Sequence, residues 1–201
     1  MGRLPSAPTG GYVMRDFSER KPNRLCGYDY SKNGAYFLTI CVKDRTEILG
    51  KVERGQIILD EYGKVVAKEM ASSCELRKEC KIDQSVIMPN HIHLILLIQH
   101  PVGADGNRPM PLNRPMPLNR PMPLNRSTAP KTPQNHSVPS FVRGLKGSVS
   151  RVLGFSIWQH SFHDHIIRDE NDYARLAHYI ENNPTIWESD CFHPSNLAVL
   201  K

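Results

Sequence analysis

The residues best suited to chemistry are two histidines set in an apolar run. Residues 87–98 read IMPNHIHLILLI, and a core strand of that composition needs no polar side chain. Along a β-strand side chains alternate between faces, so His91 and His93 point one way and Ile92 and Leu94 the other. Two parallel imidazoles can take one divalent cation and leave positions open for a further ligand, water and substrate oxygens. The competing reading is a pair of hydrogen-bonded polar groups on a half-exposed sheet face, because an HxH spacing arises often by chance.

The elements that must hold this pair are legible in outline. Residues 35–42, AYFLTICV, are aromatic and β-branched and predict a buried strand. Residues 56–59, after an Arg-Gly turn, predict one arm of a short hairpin. Over residues 60–78 the apolar positions Val65, Val66, Met70 and Leu76 recur at roughly helical spacing, with Asp60 available as N-cap. Residues 81–87 and 91–98 predict two strands joined by a turn at Met88-Pro89-Asn90. Residues 140–153 carry Phe141, Leu145, Val149 and Val152 at helical spacing and stop at Gly154. A last helix over 169–182 opens on acidic residues, which suit the positive end of its dipole, and ends ahead of Pro184. Strand, helix, two strands and further helices predict an α+β fold, an antiparallel sheet with helices packed on one face.

Between these halves lies a segment of another kind. NRPMPL occurs three times in tandem at 107–124, and Asn125-Arg126 begins a fourth copy. Proline lacks the amide donor and restricts its predecessor, so two prolines per six residues preclude a helix or a central strand. Residues 101–136 therefore predict an extended, polyproline-like linker. Arg108, Arg114, Arg120, Arg126 and Lys131 stand there against Asp105 alone, which places four of the net +6 charges in the linker. The remainder is only weakly basic. The linker reads either as a phosphate-binding arm or, preferably, as a tandem duplication tolerated in a surface loop. The expected organisation is an N-terminal extension (1–34), a first half with the two histidines (35–100), the linker (101–136) and a second half (137–201).

Composition sets further bounds. At 201 residues the chain suits one core with accessory segments. The five cysteines form no CxxC pair, which argues against a zinc ribbon and a disulfide framework. No apolar run is long enough to span a bilayer and the first residues lack the pattern of a signal peptide, so a cytoplasmic location is expected. No Gly-rich phosphate loop occurs.

Taken in order, MPNHIH, Ile157-Trp158-Gln159, Asp164-His165-Ile166-Ile167-Arg168 and the run Tyr179-Ile180-Glu181-Asn182-Asn183-Pro184 resemble the single-tyrosine HUH transposases, in particular the REP-associated tyrosine transposases and related insertion-sequence transposases. The similarity runs from about Tyr36 to Trp187, the repeats excepted. It implies a ferredoxin-like sheet carrying His91 and His93, a divalent metal (Mg²⁺ or Mn²⁺), and a helical tyrosine that attacks single-stranded DNA beside a hairpin. Cleavage then passes through a covalent 5′-phosphotyrosine, which keeps the bond energy for rejoining and needs no ATP. A homodimer and a monomer are both open.

Tyr173 and Tyr179 share the last helix, but six residues turn it by about 240°, so one of them at most faces the metal. Asn183 lies at i+4 from Tyr179 and offers an amide oxygen, whereas Ala177 holds that place for Tyr173. The family motif also puts its nucleophile at Tyr179, so Tyr179 is the expected nucleophile and Asn183 the expected third ligand. His160, His163 and His165 form a second cluster, demoted because no apolar run frames it as a core strand. His165 and Arg168 are expected to touch DNA, and Trp158 either stacks on a base or belongs to the core. Two other readings remain: a DNA- or RNA-binding protein without the chemistry, and a metal-dependent hydrolase that activates water.

Overall fold

The computed structural model describes Leu25, residues 27–100 and residues 136–196. The NRPMPL repeats and most of the N-terminal extension lie outside the described residues. Six strands, β1 (Gly34–Cys41), β2 (Gly50–Glu53), β3 (Gln56–Leu59), β4 (Cys80–Met88), β5 (His91–Ile98) and β6 (His163–Ile167), alternate with helices α1 (Glu61–Leu76), α2 (Val138–Leu153) and α3 (Glu170–Asn182). β4, β5, β1 and β6 form one sheet in that order, with every neighbouring pair antiparallel. With α1 and α2 as the two crossovers, this is the β-α-β-β-α-β ferredoxin-like arrangement. β2 and β3 make a separate hairpin, whose turn places Arg54 (φ 52°) and Gly55 (φ 73°) in the left-handed region that a tight two-residue connection requires.

Alternation along the strands divides the interior in two. Tyr36, Leu38 and Ile40 of β1 and Ile92, Leu94, Leu96 and Ile98 of β5 face Val66 and Met70 of α1 and Phe141, Leu145 and Val149 of α2. On the other face Ile95 and Ile167 meet Leu176 and Ile180 of α3. Thus α1 and α2 share one face, whereas α3, expected to pack on the same face, covers the other. β5 is buried on both sides, which is why its sequence reads as a continuous apolar run rather than an alternating one. His91 and His93 fall on the α3 face.

Local chemistry explains the element ends. Ser137 accepts from the Ser140 amide at the start of α2, and Gly154 closes that helix at φ 81° in the left-handed C-cap conformation. Asp169 accepts from the Asp172 amide at the start of α3 (2.8 Å). Asp60 holds the N-cap place of α1 without a side-chain bond. Gly63 is required for another reason: a Cβ there meets the Leu49 carbonyl oxygen at 1.9 Å, so α1 could not approach β2 with any side chain at that position.

One element departs from the sequence reading. The HDHII stretch, to which the sequence reading assigned no element because no apolar run frames it as a core strand, is the edge strand β6. An edge strand pairs on one side only and needs few apolar residues, so its pattern is weak. Asp164 turns to the face opposite its flanking histidines and accepts from Tyr30 Oη at 2.6 Å, while Tyr28 and Tyr30 pack against Tyr36. Cys41, Cys74, Cys80 and Cys191 are free thiols. No helix among the described residues is long and apolar enough to cross a membrane.

Candidate functional site

Strand register sets the first half of the site. His91 pairs with Cys41 and His93 with Thr39 across β1, leaving the imidazoles 0% and 1% exposed beneath α3. Their Nε2 atoms are 2.9 Å apart. Two nitrogens each about 2.1 Å from one ion, in adjacent octahedral positions, stand about 3.0 Å apart, so this spacing matches a shared divalent ion.

Hydrogen bonds on the far side of each ring orient them. Asn90 Nδ2 donates to the carbonyls of Arg45 (3.2 Å) and Phe192 (2.8 Å), so its Oδ1 is turned to His91 Nδ1, at 2.8 Å. That nitrogen must carry the ring proton, which leaves His91 Nε2 with a bare lone pair. His93 Nδ1 lies 2.8 Å from Thr39 Oγ1, a hydroxyl that can donate or accept. With Thr39 donating, His93 Nε2–H bonds to His91. With Thr39 accepting, both Nε2 lone pairs are free for a cation. Burial, reinforced by the Arg45 cation, lowers the His91 pKa to about 3, and burial together with His91 puts that of His93 well below the usual value. Both rings are therefore neutral near pH 7, the form a metal requires.

The second half comes from α3 and the chain that follows it. Tyr179 Oη is 3.4 Å from His93 Nε2 and donates to Asp190 Oδ2 at 3.0 Å. Asp190 is 5% exposed, and it also accepts from Asn183 Nδ2 (2.9 Å) and from the Phe192 amide (2.6 Å). The donor atoms of His91, His93 and Asp190 all lie within 4.8 Å of one another, the one such group of three among the described residues. Burial and the Asp190 carboxylate push the Tyr179 phenol well above its ordinary pKa. Phe192 lays its ring 4.5 Å from that of His91, so residues 190–192 close the approach to the imidazoles.

No family model matches the chain. An uncharacterised protein of Haemophilus influenzae is 32% identical over 176 residues, which cover 85% of this chain and 91% of that one. A second protein of that organism, whose name assigns it provisionally to the REP-associated tyrosine transposases, is 28% identical over 156 residues, 78% of this chain and 73% of its own. The solved structure of a REP-associated tyrosine transposase bound to a REP hairpin shares the fold at a TM-score of 0.51, with 19% identity over 79% of this chain and 70% of that one.

The chain thus resembles the REP-associated tyrosine transposases in sequence and shares the fold of one of them.

Among the residues that resemblance to this family singled out, the fold gathers His91, His93, Tyr179 and Asn183 into one cluster. Tyr173 is kept apart: its hydroxyl donates to Asp83 on β4, on another side of α3. The carboxylate grouped with the histidines is Asp190, which the sequence reading did not single out. Asn183, the expected third ligand, is fully buried with its amide nitrogen on Asp190, and its Oδ1 has no hydrogen-bond partner. A buried bare acceptor beside two neutral imidazoles and a carboxylate is a donor set that fits a hard or borderline divalent cation. Asp190 lies eleven residues beyond Tyr179 and past the helix-ending Pro184, where no periodicity points to it.

The residues expected at the DNA behave differently from one another. Trp158 is 6% exposed within the main core and bridges to Val42, so of its two readings, base platform and core residue, the fold supports the core. His165 is exposed on the α3 face of β6 opposite Phe37, whose ring stacks on His93 at 5.2 Å; its Nε2 is 2.6 Å from Asp172. Arg168 is exposed just past β6.

Proposed function

We propose that the protein cuts and rejoins single-stranded DNA beside a hairpin, with Tyr179 as nucleophile and a covalent 5′-phosphotyrosine as intermediate. The observation that carries this reading is the position of Tyr179 Oη, within 3.0 Å of Asp190 and 3.4 Å of His93 Nε2. The hairpin substrate is carried over from the solved relative of the same fold, which holds a REP hairpin.

A divalent cation, Mg²⁺ or Mn²⁺, held by His91, His93 and Asp190, would neutralise charge on the scissile phosphate as a Lewis acid. Asn90 and Thr39 fix the imidazoles from behind. Asp190 accepts the phenol hydrogen bond and is placed to take its proton as Tyr179 Oη attacks phosphorus. The Tyr–O–P bond forms, the P–O3′ bond breaks, and the 3′ oxygen leaves and is protonated as a free hydroxyl. Rejoining is the reverse with an incoming 3′ hydroxyl, so no external energy source is needed. Because Phe192 covers His91, DNA entry requires Cys191 and Phe192 to withdraw while Asp190 stays in place.

The test uses one oligonucleotide labelled in turn on either side of the cut. Label on the downstream fragment should migrate with denatured protein, and label on the upstream fragment should be released with a free 3′ hydroxyl. Cleavage with no label on the protein would point to water as nucleophile and overturn the reading.

A further inference from the structure

The turn between β1 and β2 carries an arginine held against the site at some conformational expense. Asp44 (φ 53°) and Arg45 (φ 52°) are consecutive non-glycine residues in the left-handed region, a strained arrangement that folds retain chiefly where it serves a site. The strain is coupled to the metal-ligand candidates through one chain of hydrogen bonds. The Arg45 carbonyl accepts from Asn90 Nδ2 (3.2 Å), and Asn90 Oδ1 in turn bonds His91 Nδ1 (2.8 Å). The guanidinium lies 4.9 Å from the centre of the Phe192 ring, itself packed on His91. Arg45 makes no ion pair among the described residues. Among the described residues its side chain makes one hydrogen bond, from Nη1 to the Cys191 carbonyl (3.2 Å), which leaves most of its planar fork of donors unused.

An unpaired arginine fixed beside two imidazoles and a carboxylate matches a phosphate in both charge and shape. We propose that Arg45 binds a phosphate of the incoming DNA strand, a contact that no comparison assigns. The Cys191 carbonyl oxygen stands where a phosphate oxygen would be held, and withdrawal of Cys191 and Phe192 exchanges one acceptor for the other. The stronger partner is the anion, because a charge-assisted bidentate contact replaces a single neutral one. This rests on the reading that a DNA strand enters this site, but it does not require covalent chemistry. The alternative is that Arg45 merely ties down the chain at Cys191.

Binding of fluorescent oligothymidine, measured across a salt series in protein carrying Tyr179→Phe, tests the contact without cleavage. Arg45→Met keeps the stem over Phe192 and removes the charge. Affinity should fall about ten-fold at low salt, the loss expected of one charge-assisted bond, and the log–log salt slope should flatten by about 0.7, the share of one phosphate on a single strand. Arg45→Lys should restore most of the slope, and Mn²⁺ affinity should be unchanged in both variants. A methylphosphonate scan with Arg45 in place, which depends on no variant at this residue, should find one phosphate whose neutralisation weakens binding, and Arg45→Met should abolish that penalty. A parental slope in Arg45→Met, or a loss of Mn²⁺ affinity alongside DNA affinity, overturns the proposal. Failure to form a covalent adduct would overturn the nucleophile assignment and leave these binding results standing.

Discussion

Replacing Asp190 with Asn is the sharpest probe of the metal centre, because it changes charge at nearly constant shape. In the parent, His91, His93 and Asp190 offer two neutral nitrogens and one anionic oxygen within 4.8 Å. Removing the only charged donor should weaken Mn²⁺ binding by about 100-fold, the upper end of what altering even an outer-shell partner does. The consequence for stability follows from mass action: at a free Mn²⁺ concentration of about 100 times the parental dissociation constant, the ion stabilises the fold by about 2.7 kcal/mol. At that concentration the variant sits near its own dissociation constant and gains only about 0.4 kcal/mol. For a chain of this size these correspond to increases of about 5–10 °C and about 1 °C in Tm. The assay is calorimetric unfolding of parent, Asp190→Asn, Asn183→Ala and His91→Ala, each with EDTA and with Mn²⁺. The metal-free Tm of each variant serves as its own reference, since Asp190 also accepts from Tyr179, Asn183 and the Phe192 amide. If Asp190→Asn keeps the full Mn²⁺ shift while Asn183→Ala loses it, the carboxylate is not a ligand and the amide is.

Two further outcomes are expected. His91 has a folded pKa of about 3 against an ordinary 6.5, so the unfolded chain takes the proton first as pH falls; the stability tied to the neutral ring is complete above about pH 6.5 and is lost progressively toward pH 3. Urea midpoints in EDTA should fall over that window, and His91→Gln should flatten the dependence; an unchanged profile in that variant would contradict the assignment. The described residues on either side of 101–135 lie close together, with the His100 and His136 rings 6.0 Å apart. Deleting residues 107–126 should therefore spare folding and cleavage, and should flatten the DNA-binding salt slope by much less than the roughly 2.8 that four arginine–phosphate contacts would contribute on a single strand; loss of cleavage on deletion would show the linker to be part of the machinery.

How far the sequence foretold the site depends on how local each signal is. The histidine pair was legible because strand alternation is a period of two and puts both rings on one face whatever lies beyond. That Tyr173 and Tyr179 face different ways was legible for the same kind of reason: helical rotation separates them, and the fold sends one hydroxyl to Asp83 and the other to Asp190. Asp190 was not legible, since it reaches the histidines through an irregular turn after Pro184 and its partners are long-range. The strand at 163–167 was hidden by its edge position, where one apolar face suffices. Trp158 could not be placed because an indole in a short apolar stretch suits a core and a base platform equally, and only burial at 6% exposure separates them.

The measurement closest to the central claim compares Tyr179→Phe with Tyr173→Phe in covalent capture of a labelled single-stranded hairpin substrate in Mn²⁺. Tyr179→Phe removes one oxygen and little volume. It gives up the 3.0 Å bond to Asp190, at a cost of about 1 kcal/mol for a net hydrogen bond, so the fold and Mn²⁺ binding should survive. Its covalent band should vanish, while Tyr173→Phe, which loses only the contact with Asp83, should keep the band at close to the parental rate. A Tyr179→Phe protein that still becomes attached to DNA, or a Tyr173→Phe protein that does not, would contradict the account.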